Sequence, residues 1–294
     1  MPSRRSSWRH VATALTATSL ITATAAAAQA AQLPVVVADP VPVAAPDTVS
    51  FPSGPLSLRG IVYRPRGAGP FPAVLFNHGS GRDYTKEVAA VGPMYASHGF
   101  VFFAPSRRGQ WLSSNAGPYI VDSLDAAERA GGAEARARAL VGLLDGPHLD
   151  DVAAALSWLR RLSGVDAGRI VVSGNSFGGI MTVLAAERLD GLRAALDFAG
   201  AAQTWASTPL LQARMKRAVA HSKVPMMFVQ ASNDYDLAPS RSLAAEMATA
   251  GLVHELRIFP AYGSTVEAGH SFGYFGGGVW APEVFAFVSR VSGR

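Results

Sequence analysis

Arg169-Ile170-Val171-Val172-Ser173-Gly174-Asn175-Ser176-Phe177-Gly178-Gly179 decides how the chain reads. An apolar, β-branched run leads into G-x-S-x-G, and a helical stretch over 180–188 follows. A serine on a tight strand-to-helix turn projects its hydroxyl above the end of a sheet. Such a turn leaves little room for side chains two residues to either side, and Gly174 and Gly178 occupy those positions. Ser176 is the expected nucleophile.

Outward from this segment, strand-like runs at 58–63, 73–76, 101–104, 170–173, 194–198, 226–230 and 255–259 alternate with helical stretches. Several are unbroken apolar runs, as in strands covered on both faces. Over 149–162, Val152, Leu156, Leu159 and Leu162 form an apolar stripe, with Asp150 and Asp151 as cap and first-turn charges. The alternation predicts an α/β domain over 56–294, a mostly parallel sheet with helices on both faces. Residues 110–147 are long for a connection and carry a helical pattern of their own. They form either a small lid or a helix lying flat on the sheet.

A serine hydroxyl needs a base to take its proton and a carboxylate to orient that base. In this strand-serine-helix arrangement both follow the serine, acid first. His221, His254 and His270 lie downstream of Ser176. His221 precedes a strand and His254 opens one, whereas His270 sits in a Gly-bearing loop after the last strand, where catalytic groups belong. His270 is the expected base. The acid is one of two aspartates after the 226–230 run. Asp234 is favoured by its spacing from the strand, with Asp236 as the alternative and otherwise a turn or cap residue. Two backbone N–H groups must meet the oxyanion: that of Phe177, and one from the Gly-rich turn after 73–76, Ser80 by preference or Gly79. His78 then shapes that loop. Of the aromatic residues near the expected site, Trp111 and Tyr235 are the candidates for substrate contact by loop position. Arg107-Arg108 reads more simply as a turn than as a binding site for an acidic substrate.

The ends and the composition narrow the function. Arg4, Arg5 and Arg9 precede an uncharged Ala/Thr/Leu stretch that closes on Ala28-Gln29-Ala30, which predicts a secretory signal peptide over 1–30 and export to the periplasm or medium. Ser3-Arg4-Arg5 loosely resembles a twin-arginine signal and leaves the export route open. The stretch falls short of the ~20 strongly apolar residues of a membrane span, so no stable membrane anchor is expected. A Pro-rich segment, 31–55, should run extended and pack loosely before the domain. The formal charge of +5, less the three leader arginines, is +2 with no basic run, which argues against nucleic-acid binding. The chain has no Cys, so disulfides, thiolate metal sites and a Cys nucleophile are all excluded. Nothing in the pattern sets an oligomeric state.

Five segments carry a family resemblance: Leu58-Arg59-Gly60 with Tyr63-Arg64-Pro65; Asn77-His78-Gly79-Ser80-Gly81; Arg107-Arg108-Gly109; Asp150-Asp151-Val152 through Gly174-Asn175-Ser176-Phe177-Gly178-Gly179; and Gly269-His270-Ser271-Phe272. On these the chain is similar to the dienelactone hydrolase-like and prolyl-oligopeptidase-like branch of the α/β hydrolases. The resemblance implies the α/β-hydrolase fold, a triad of Ser176, Asp234 and His270, and an oxyanion hole from the Ser80 and Phe177 amides. It departs at the nucleophile, because dienelactone hydrolase itself uses Cys where this chain has Ser176. The peptidase branch carries a large N-terminal propeller, where 31–55 offers only a short lead. The expectation is a serine esterase of a small or medium substrate, with no metal or organic cofactor. Short-peptide amide cleavage or acyl transfer by the same triad are alternatives. A catalytically silent exported binding protein is the remaining one, which intact candidates at all three triad positions argue against.

Overall fold

A computed structural model describes residues 41–292, so the leader expected over 1–30 lies outside the described residues. The strands are β1 (Asp47–Ser53), β2 (Leu56–Tyr63), β3 (Phe71–Asn77), β4 (Val101–Pro105), β5 (Val165–Asn175), β6 (Leu192–Phe198), β7 (Met226–Ala231) and β8 (His254–Phe259). They join in one sheet in the order β1-β2-β4-β3-β5-β6-β7-β8. Only β1 with β2 and β2 with β4 are antiparallel, and every later neighbour pair is parallel. The helices are α1 (Thr85–Ser97), α2 (Ile120–Leu143), α3 (Leu149–Arg160), α4 (Phe177–Arg188), α5 (Pro209–Ala220), α6 (Ala238–Thr249), α7 (Val266–His270), α8 (Phe272–Phe275) and α9 (Gly277–Ser292).

Side chains alternate between faces along each strand. Leu75, Val172 and Phe228 point to a core shared with α2 to α6, while Phe76, Val171 and Val229 point to one shared with α1, α8 and α9. Both faces are covered, which explains the continuous apolar runs of the central strands. The parallel strands all end at the same edge, and the loops after β3, β5, β7 and β8 meet there, as functional loops do in this class of sheet.

The expected domain start at 56 needs correction. Residues 47–53, read as part of a loosely packed lead, form β1, in register with β2 from Asp47↔Val62 to Ser53↔Leu56. Phe51 is buried with its ring edge-on to Phe103 at 5.6 Å. Pro52 masked the alternating pattern, yet an edge strand accepts proline because one side has no ladder to complete. Asp150 and Asp151 lie in the first turn of α3 as expected, but no side chain caps the helix. Asp151 is buried and accepts from Ser53 Oγ at 2.6 Å and from Arg108 Nε and Nη2 at 2.9 and 2.7 Å, tying β1 and the turn after β4 to α3.

Residues 110–147 begin with a 3-10 turn at Trp111–Ser113 and continue as α2, broken at Gly131 and Gly132. Gly132 has φ +70°, a conformation that glycine adopts without strain. A wide turn at Leu144–His148 then joins α2 to α3.

Candidate active site

Ser176 stands between β5 and α4 with φ 61° and ψ −120°, strained for a residue with a side chain. The strain is held from both sides. Ser176 N donates to Phe198 O at 2.8 Å, and Ser176 O accepts from Ile180 N at 3.2 Å. The flanking glycines are required by close approach. A Cβ on Gly174 would lie 2.3 Å from Gly178 O, and one on Gly178 would lie 1.8 Å from Asn77 O.

The structure brings Ser176, His270 and Asp234 together. His270 Nε2 is 2.8 Å from Ser176 Oγ, and His270 Nδ1 is 2.8 Å from Asp234 Oδ1. Asp234 also accepts from Tyr235 N at 2.7 Å and from Gln230 Nε2 at 2.8 Å, so three donors converge on a carboxylate whose side chain is fully buried. That environment makes Asp234 the acceptor of the Nδ1 proton and leaves Nε2 to accept from the serine hydroxyl. Asp236 points elsewhere and accepts from Ala238 N at the head of α6.

Asn233 couples the loop after β7 to the loop that carries His270. Its Nδ2 donates to Tyr262 O and Thr265 O at 3.0 and 2.8 Å, and its Oδ1 accepts from Tyr262 N at 2.9 Å. Gly269 packs against it, with room for no Cβ. Nothing in the local pattern marked Asn233, since its partners lie about thirty residues on.

The turn after β3 is bonded at nearly every backbone group. Gly79 N donates to Tyr274 Oη, Gly81 N to Tyr84 Oη, and Ser80 O accepts from Tyr119 Oη. Gly79 O accepts from Arg107 Nη2, and Gly81 O from Gln110 Nε2. The Ser80 N–H has no acceptor among the described residues. Phe177 N opens α4, where no intrahelical carbonyl precedes it. Gly79, the alternative donor, is engaged by Tyr274.

Beside Ser176 lies a cavity of about 370 Å³. Ile120, Leu124 and Leu140 of α2 form one apolar wall, and Phe177 and Ile180 of α4 the other. Glu128, Arg136, Gln203 and Ser207 sit among its polar lining, and Ser80, Ser176 and Phe177 border it. The 110–147 segment therefore supplies one side of the site. Neither Trp111 nor Tyr235 lines this cavity. The Trp111 indole donates to Thr85 Oγ1 at 3.0 Å and its ring meets His78 edge-on. Tyr235 is exposed and stands edge-on to His270 at 5.2 Å. Loop position located both near the site, but side-chain direction was not readable from it.

Several titratable groups behind the site are buried. His78 accepts from Arg107 N through Nε2 at 3.2 Å and donates from Nδ1 to Gly79 O at 2.9 Å, a neutral tautomer that agrees with burial driving its pKa far down. Burial also raises Asp197, on β6, to a pKa of about 7. Its Oδ1 accepts from Gly200 N at 2.9 Å, while Oδ2 has no partner among the described residues. No cluster of three or more metal-ligating side chains occurs among the described residues.

Residues 58–275 match the model of the dienelactone hydrolase family. Among solved structures, the chain is similar to one ascribed to a dienelactone hydrolase of Klebsiella pneumoniae, with 18% identity, TM-score 0.61, and coverage of 85% of this chain and 99% of that one. It is similar to the acylaminoacyl peptidase of Pyrococcus horikoshii, with 18% identity and TM-score 0.61, over 84% of this chain but 41% of the peptidase. Esterase Est22, solved with p-nitrophenol, gives 17% identity and TM-score 0.62 over 86% of this chain and 81% of the esterase. At these identities the likeness speaks for the fold. No curated protein matches the sequence.

Proposed function

Because the chain belongs to the dienelactone hydrolase family, we propose that it is a serine hydrolase that cleaves a carboxylic ester of small or medium size through an acyl-enzyme on Ser176. The observation that carries this reading is the unbroken pair of 2.8 Å contacts from Ser176 through His270 to Asp234 at the edge of an apolar cavity.

Ser176 Oγ attacks the acyl carbonyl as its proton passes to His270 Nε2, and Asp234 stabilises the imidazolium through Nδ1. The oxyanion is met by the N–H groups of Phe177 and Ser80. The imidazolium then protonates the leaving alcohol. Water, deprotonated by the same nitrogen, attacks the acyl-enzyme and releases the acid with Ser176 restored. A cavity of about 370 Å³ is at the small end for ligand pockets, which suits a short or medium apolar acyl group. Export directed by the 1–30 leader would place this reaction outside the cytoplasm.

Turnover of p-nitrophenyl butyrate and of butyryl p-nitroanilide, wild type beside Ser176→Ala, tests the proposal. Ester cleavage that vanishes in the variant, with the anilide much slower, supports it. Equal cleavage of the anilide would favour an amidase, and ester turnover retained by Ser176→Ala would refute the mechanism.

A further inference from the structure

We infer that Arg107 is a positioning residue of the oxyanion site: its guanidinium fixes and polarises the Gly79–Ser80 peptide, so that the Ser80 N–H is aimed and strengthened as a donor. The inference rests on the ester-hydrolase reading.

Arg107 is 1% exposed, an unusual position for a long cationic side chain that lacks a carboxylate partner. Among the described residues no carboxylate lies within ion-pairing distance of it. Asp151, which contributes to its field, is already engaged by Arg108 and Ser53. Arg107 Nη2 instead donates to His78 O and Gly79 O, both at 2.6 Å, and the guanidinium lies 4.8 Å from the centre of the Phe177 ring. Nε and Nη1 have no partner among the described residues. Burial lowers its pKa to about 10, which leaves it charged at neutral pH. His148, edge-on to Phe177 at 5.8 Å, is kept neutral there, burial having driven its pKa to about 3.

A buried cation with two unpartnered nitrogens destabilises the fold relative to a neutral donor of the same shape. Its placement accounts for its presence. Gly79 C=O and Ser80 N–H belong to one planar trans peptide and point in opposite directions. A charged donor on that oxygen withdraws electron density from the amide and sets the direction of its N–H. The remaining backbone groups of the turn are held by neutral partners, three of them tyrosine hydroxyls. The contact with the Phe177 ring brings the same cation against the residue that carries the other donor.

The test measures kcat and KM for p-nitrophenyl butyrate, and inhibition by a butyl trifluoromethyl ketone that forms a hemiketal oxyanion, in wild type, Arg107→Met and Arg107→Lys. In Arg107→Met, kcat should fall about 10- to 100-fold, a share of what loss of a whole oxyanion donor costs. KM should change little, the ketone's Ki should rise by about the factor lost in kcat/KM, and Arg107→Lys should recover part of each loss. A folded Arg107→Met with unchanged kcat would overturn the inference. So would a loss confined to KM, or failure of both variants to fold, which would reduce Arg107 to a structural cation. A wild type inactive on esters would overturn the ester reading together with this inference; an active wild type with unaffected variants would overturn this inference alone.

Discussion

Asp197→Asn should stabilise the protein increasingly as pH rises. Asp197 is fully buried at the end of β6, and burial holds its carboxyl protonated up to a pKa of about 7 against an ordinary 3.8. Between those values the folded chain keeps a proton that the unfolded chain has released, so raising the pH opposes folding. The stabilising effect of the protonated acid is fully present below about pH 4 and lost as the pH climbs through about 7. Three or so pKa units at about 1.4 kcal/mol each give a cost on the order of 4 kcal/mol at alkaline pH. Asparagine keeps the shape and an acceptor for Gly200 N–H, and never ionises. Urea unfolding of both proteins at about pH 4.5 and about pH 8.5 measures the difference. The advantage of the variant should grow by several kcal/mol between the two; a difference that stays flat would refute the argument.

Other changes discriminate within the site. Asp234→Asn should lower kcat by about 10⁴-fold through loss of the orienting carboxylate, whereas Asp236→Ala should cost about 1 kcal/mol of stability as a lost helix-end acceptor, with kcat nearly intact. Steady-state kinetics and urea melts separate the two. Leu140→Trp, which fills the α2 wall of the cavity, should shift kcat/KM from octanoyl toward acetyl p-nitrophenyl esters by about 10-fold or more. Gly178→Ala places a Cβ against the Asn77 carbonyl, a rigid neighbour, and should lower the unfolding free energy by about 3 kcal/mol or more or prevent folding outright.

The parallel sheet and the turn at Ser176 were legible because their signals are local: apolar runs of strand length, then two glycines around a serine. Chain order and loop position were enough to nominate Asp234 and His270, the residues that the structure brings to Ser176. Long-range placement was not legible. Pro52 hid β1, whose pairing depends on its edge position. Arg107 and Asp151 contradict the rule that charges face water, and the partners that permit their burial lie far away in sequence. Trp111 and Tyr235 occupy the expected loops, but their side chains are turned toward Thr85 and His270 rather than into the cavity. The lid and flat-helix readings of 110–147 were not separable in the sequence, because which apolar residues of α2 stand beside Ser176 depends on tertiary placement.

The proposed chemistry requires Ser176 to be an activated nucleophile. Peptide mass spectrometry of the protein after brief exposure to a fluorophosphonate measures this directly, with Ser176→Ala and His270→Ala treated alongside. One adduct on the Ser176 peptide is expected in the wild type, none in Ser176→Ala, and much slower labelling in His270→Ala. A folded wild type that stays unmodified, or an adduct on another serine, would contradict the account.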